Sequence, residues 1–119
     1  MPRLMSVAFT EDPVVRREKT VTRRKGWEHL KPGDRLTLCR KVMGRKPGEP
    51  LVRLAEVEVV SVRRELLGDI TAEEVALEGF PGMEPGEFIR QFFEEPQGIG
   101  VHDTVYRIEW RYLDGGDPS

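Results

Sequence analysis

Ten residues, Arg16 to Lys25, hold six cations against a single acid, Glu18, around a Lys19-Thr20-Val21-Thr22-Arg23-Arg24 core. The run carries about +5 in a chain whose net charge is −2, so everything else sums to about −7. A local positive field on an otherwise acidic protein serves one site, whereas a protein built to coat nucleic acid is basic throughout. The chemistry on offer is the holding of an anion, or of negative charge that develops during a reaction.

A run of Arg and Lys is ordinarily a solvated face. Here the cations alternate with Thr20 and Thr22, β-branched residues that favour an extended backbone, so the segment reads as a strand. Gly26-Trp27 and Lys31-Pro32-Gly33-Asp34 then turn the chain back. An acid of interest lies far off in sequence. Glu78 falls three residues after Val75 in the last turn of a predicted helix, beside its inward face, where unpaired carbonyls disfavour a carboxylate. Such an acid calls for a cation nearby.

Other chemistries are thinly supplied. Cys39 is the one cysteine, in an apolar strand-like setting, and reads as a packing residue. His29 and His102 have no ligand spacing between them, so no metal site is expected. Gly79, Gly82 and Gly86 are scattered among prolines, outside the strand-to-helix context of a phosphate-cradling loop, and no cofactor is expected.

The elements that must position these residues follow from length and periodicity. With 119 residues, 38% of them apolar and 34% charged, the chain predicts one soluble domain over residues 1–113 with a frayed tail, Asp114 to Ser119. It has neither a signal-like start nor an 18-residue apolar stretch, so no membrane partner and a cytoplasmic location are expected.

Alternation predicts a strand from Leu4 to Phe9, and Asp12-Pro13 predicts a short helix carrying Val14 and Val15 inward. Further strands are expected near Lys19, over Arg35 to Val42 and after Leu51, with Met43 to Pro50 as a hairpin loop. Ala55, Val57 and Val59 alternate with Glu56 and Glu58, then the apolar phase passes to Val60 and Val62, which predicts a bulge. Thr71-Ala72-Glu73-Glu74 is a capping box for a helix ending at Gly79, and Pro85 opens another that presents Phe88, Ile89, Phe92 and Phe93 to the core. The last strand, Thr104 to Tyr112, sets Tyr106, Ile108, Trp110 and Tyr112 on one face and Arg107, Glu109 and Arg111 on the other. The sum is a closed or nearly closed barrel.

Lys19 to Arg24, the Lys31-Pro32-Gly33-Asp34 turn, Ala76-Leu77-Glu78-Gly79-Phe80 followed by Glu87-Phe88, and the closing Ile108-Glu109-Trp110 resemble, in order and spacing, the ASCH domain family of the PUA-like superfamily. The resemblance spans Met5 to Tyr112. It implies an α+β fold, a small PUA-like β-barrel with two or three short helices packed at its ends. It also implies an RNA or nucleoside-like partner, since the family is associated with RNA binding and nucleoside processing.

One bacterial branch of that family deacetylates N4-acetylcytidine with a Lys, a Thr three residues later and a Glu before the second helix. Those positions fall on Lys19, Thr22 and Glu78. The chain departs in having Arg17 where the family often has Gly, and in a longer loop over Met43 to Pro50. Three readings follow. A cationic cleft binds RNA or a nucleotide-like ligand through Thr20, Arg23, Arg24, Lys25, Trp27 and Lys31; or the Lys, Thr and Glu form an amidohydrolase; or the cleft is a non-catalytic sensor. Positions 19 and 22 differ by an odd number, so they converge only if Lys19 sits on a turn before its strand begins.

Overall fold

The strand that carries the basic run is one edge of a curled five-stranded sheet. The computed structural model describes residues 3–113, and the expectation for the tail lies outside them. The strands are β1 (Arg3–Ser6), β2 (Val21–Arg24), β3 (Arg35–Cys39), β4 (Arg53–Leu66) and β5 (Thr104–Tyr112). They order as β1-β3-β4-β5-β2, with β1 parallel to β3 and every other pairing antiparallel. The sheet is a half-barrel whose open seam lies between its two edges, β1 and β2.

Three helical segments pack on it: α1 (Glu11–Val15), α2 (Ala72–Leu77) and α3 (Pro85–Ile89). The last runs on through a π-helical turn, Arg90–Glu94, and a final turn, Glu95–Gln97. This is the expected small α+β PUA-like barrel. Among the described residues no helix is long and apolar enough to cross a membrane.

The strand phases explain the curl. Val59 pairs with Trp110 and Ser61 with Glu109, so Val60 has no partner and bulges outward, 45% exposed. The predicted bulge is there, but Val60 is the extra residue and not part of the inward set; Val62 resumes that set opposite Ile108. Two boundaries and one orientation also differ from expectation. The first strand ends at Ser6 and gives way to a 3-10 turn, Ala8–Thr10; β3 stops at Cys39; and Val15 points outward while Val14 is buried.

Two apolar cores lie on either side of the sheet. One fills the half-barrel with Met5, Val7, Leu36, Leu38, Val57 and Trp110. The other, under α2 and α3, contains Leu67, Val75, Phe88, Phe93 and Val105. Helices cover the outer side of β5 at Arg107, which is buried there, while Glu109 is half-buried and Arg111 exposed. Thr71 caps α2 by accepting a hydrogen bond from the Glu74 amide at 3.2 Å. The Glu74 carboxylate is spent on Arg23 and Arg107 instead of reaching back to close the capping box.

Candidate functional site

Lys19 lies on a turn two residues before β2 begins, the condition under which it and Thr22 can serve one space. Arg17 makes that turn with φ +61°, a left-handed conformation that glycine adopts most readily. Its guanidinium lies 5.7 Å from the Tyr112 ring centroid, a cation–π contact that offsets part of the cost.

Three elements fix Lys19. Its amide donates to the Pro13 carbonyl in α1 at 3.3 Å. Its carbonyl accepts from Trp110 Nε1 at 2.9 Å and the Tyr112 hydroxyl at 2.5 Å, both in β5. The next amide, Thr20, donates to Leu77 O at the end of α2, at 2.9 Å. Gly79 then permits close approach. It sits at φ +113°, and an added Cβ would lie 2.9 Å from the Pro13 side chain and 3.8 Å from Lys19 Cβ.

At this junction Lys19 Nζ donates to Glu78 O and to Glu78 Oε1, each at 2.9 Å, with both side chains 3% exposed. The acid in an unfavourable helix terminus has its cation, and the same ammonium satisfies the orphan carbonyl. Burial pushes the Lys19 pKa down; the Glu78 carboxylate works against that, and Arg24 and Arg23 add to it.

Arg23 and Arg24 are neighbours with different fates. Arg23 turns under the helices, donating through Nε to Glu65 at 2.7 Å, Nη2 to Glu74 at 2.7 Å and Nη1 to Glu78 Oε2 at 3.0 Å. Glu74 is also held by Arg107, at 2.6 and 3.1 Å. Arg107 first, then Arg23, draw the Glu74 pKa down to about 2 against the opposing effect of burial. Arg23 has its own pKa raised, because its carboxylates outweigh the desolvation. Arg24 turns to the seam, where Nη2 donates to Ser6 O at 2.8 Å and ties the two sheet edges, while Nε donates to Thr22 Oγ1 at 3.2 Å. Burial lowers its pKa, though a guanidinium stays charged. Among the described residues no carboxylate lies within ion-pair distance of it. Among the described residues Nη1 of Arg24 has no hydrogen-bond partner and is not fully buried, and Arg24 lines the cleft.

The seam holds a cleft of about 370 Å³. Lys19, Thr22, Arg23, Arg24, Lys25, Trp27 and Glu78 all line it. Thr20 and Lys31 are not part of its lining; Thr20 serves the backbone junction, and Lys31 is exposed on the turn capped by Asp34. Lys25 is on the rim, 3.7 Å from Asp103. Trp27 packs on the barrel core with Arg3 over one ring face, 4.4 Å from the centroid.

The sequence reading missed the opposite wall. Phe80, Phe88, Phe92 and Phe93 line the cleft as well as packing together, with Phe80 and Phe92 centroids 4.6 Å apart. The i, i+4 stripe signalled a buried face, but nothing in its spacing says that one end faces a cavity. Glu74 as the support for Arg23 was also missed. The signal was present, since Glu74 and Glu78 are four apart on one face of α2.

No family model and no curated protein matches the chain. Solved structures do. Protein EF3133 from Enterococcus faecalis V583, of the DUF984 family, superposes with a TM-score of 0.66 at 14% identity, over 100% of this chain and 85% of that one. An ASCH domain from Lactobacillus crispatus JV V101 gives 0.62 at 14% identity, over 92% and 79%. A hypothetical protein, PH0355, gives 0.59 at 20% identity, over 95% and 100%. The chain thus has the fold of an ASCH domain.

Proposed function

We propose that the cleft binds a nucleoside-like small molecule and hydrolyses an exocyclic amide on it, N4-acetylcytidine being the type of substrate. The supporting observation is the buried Lys19–Glu78 pair, held in the cleft that Thr22 also lines. A neutral lysine amine keeps two N–H groups, which match Glu78 O and Oε1, and leaves its lone pair for the proton of a nucleophile. Arg24 Nε on Thr22 Oγ1 favours the alkoxide.

Thr22 Oγ1 attacks the amide carbonyl and its proton passes to Lys19. The oxyanion forms beside the open edge of Arg24. Collapse breaks the C–N bond as Lys19 returns the proton to the leaving amine. Water, deprotonated by the same amine, then attacks the acyl-Thr22 ester; the C–Oγ1 bond breaks, Lys19 returns the proton to Thr22 Oγ1 and acetate leaves. Glu78 orients Lys19, and Arg23 fixes Glu78 through its second oxygen.

Phosphate-led RNA binding has less to draw on, because the basic run is mostly spent internally. Arg16 pairs with Glu18, Lys19 with Glu78, Arg23 with three carboxylates and Lys25 with Asp103. Turnover of N4-acetylcytidine by the wild-type chain, lost in Thr22→Ala and in Lys19→Ala, is the expected result. Because the reactive form of Lys19 is the neutral one, kcat/KM rises with pH through its depressed pKa to a plateau below the ordinary lysine range. Ligand binding without turnover in both wild type and Thr22→Ala would leave a sensor and overturn the hydrolase.

A further inference from the structure

Phe9 has no part in that chemistry, yet it sits at the mouth of the cleft on the 3-10 turn Ala8–Thr10 and is 69% exposed. Phe80 and Phe92 are half-buried and Phe88 and Phe93 fully buried, so the aromatic wall grows wetter toward Phe9. Phe9 does not simply face water. Its ring meets Phe92 edge to face, centroids 5.9 Å apart at 61°, and so bridges from the β1 side of the seam to the π-helical turn on the other. An aromatic ring at the lip of an apolar-walled pocket with convergent polar groups stands where a ligand can touch it.

We propose that Phe9 is the outer jaw of a ring clamp, and that the cleft selects ligands with a flat, unsaturated ring, held against Phe92 and Phe80. The inference rests on the cleft being the ligand site. With the Phe9 and Phe92 centroids 5.9 Å apart the clamp is shut, because a ring between two others needs about 7 Å, two contacts of about 3.5 Å. Opening requires only that the Phe9 side chain change rotamer. An exposed ring does so without disturbing a core. Once open, the inner ring faces, Phe92 and Phe80, offer stacking and edge contacts that a puckered ring cannot match. The ligand's polar end then points toward Arg24 and Thr22, which line the same cleft.

Two neutral primary amides of like size separate flatness from the rest of the ligand: benzamide and cyclohexanecarboxamide, titrated by NMR into the wild-type chain and into Phe9→Ala. The wild type is expected to bind benzamide at least 5-fold tighter, and Phe9→Ala to reduce the preference below 2-fold with an unchanged unfolding temperature. Equal affinities, no binding by either amide, or a preference intact in Phe9→Ala overturns the clamp. N4-acetylcytidine turnover reports on the hydrolase separately. Turnover with no Phe9-dependent ring preference removes the clamp alone, and a Phe9-dependent preference without turnover removes the hydrolase alone.

Discussion

The two sides of β2 use the same residue type to opposite ends. On the helix side, Arg23 is saturated by Glu65, Glu74 and Glu78, and Arg107 closes the network behind it. On the seam side, Arg24 touches a carbonyl and a hydroxyl and keeps one nitrogen open. Adjacent strand residues face opposite ways, so a one-residue step converts a structural cation into a receptive one. Charge counted along the sequence cannot tell these apart, because it is blind to what stands across each face.

If that division is right, changes on the seam side act on turnover and changes on the helix side act on stability. Thr22→Ala is the largest test. It removes the proposed nucleophile and is expected to lower kcat for N4-acetylcytidine by at least roughly 10³-fold, with thermal unfolding shifted only slightly. Arg23→Met is the mirror image. It leaves Glu78 Oε2 unpaired in a buried setting and takes one of its two cations from Glu74, and is expected to cost about 3–5 kcal/mol in denaturant unfolding. A stable Arg23→Met chain with wild-type kinetics would erase the distinction.

Arg24→Gln comes next in size. Loss of the charge facing the oxyanion is expected to reduce kcat by roughly 10²-fold with KM little changed, and Arg24→Lys to recover part of it. Smaller again is the acid limb of stability. Glu74 has a folded pKa of about 2 against an ordinary 4.5. Its contribution is therefore complete above about pH 4.5 and lost as the pH falls toward 2, amounting to roughly 2 kcal/mol after allowance for its partial exposure. Unfolding free energies between pH 2 and 6 should lose that slope in Glu74→Gln.

Much of this was legible before the fold was known, and the limits have physical causes. Alternation in β5 and the Thr71 cap are local signals, and both elements fell where expected. The bulge was legible as a phase change, but which residue it ejects depends on the partner strand, and Trp110 opposite Val59 decides it. Glu78 was marked by its conflict with the helix terminus; the strand was expected to begin near Lys19 and begins at Val21, with the odd spacing to Thr22 stating only the condition for the two to converge. The aromatic wall and the Arg23 network were not legible. Both arise where segments dozens of residues apart meet, and a buried stripe reads the same whether a neighbour is a side chain or a cavity.

Tyr112 probes the boundary between the two sides most finely. Its hydroxyl and Trp110 Nε1 occupy the Lys19 carbonyl, so the backbone of the reacting turn is held from β5 while its side chain is held from α2. Burial raises the Tyr112 pKa, which keeps the phenol a donor across the working range. Tyr112→Phe leaves the ring under Arg17 and deletes one hydrogen bond of two, a loss of about 1 kcal/mol. If that bond merely stabilises the fold, unfolding shifts by this amount and the pH profile stays put. If it positions Lys19, kcat falls about 5-fold and the pH midpoint moves, because the amine no longer sits in register with Glu78. The second outcome is expected, since the turn is anchored at both ends of one residue and slack at either end reaches the nitrogen.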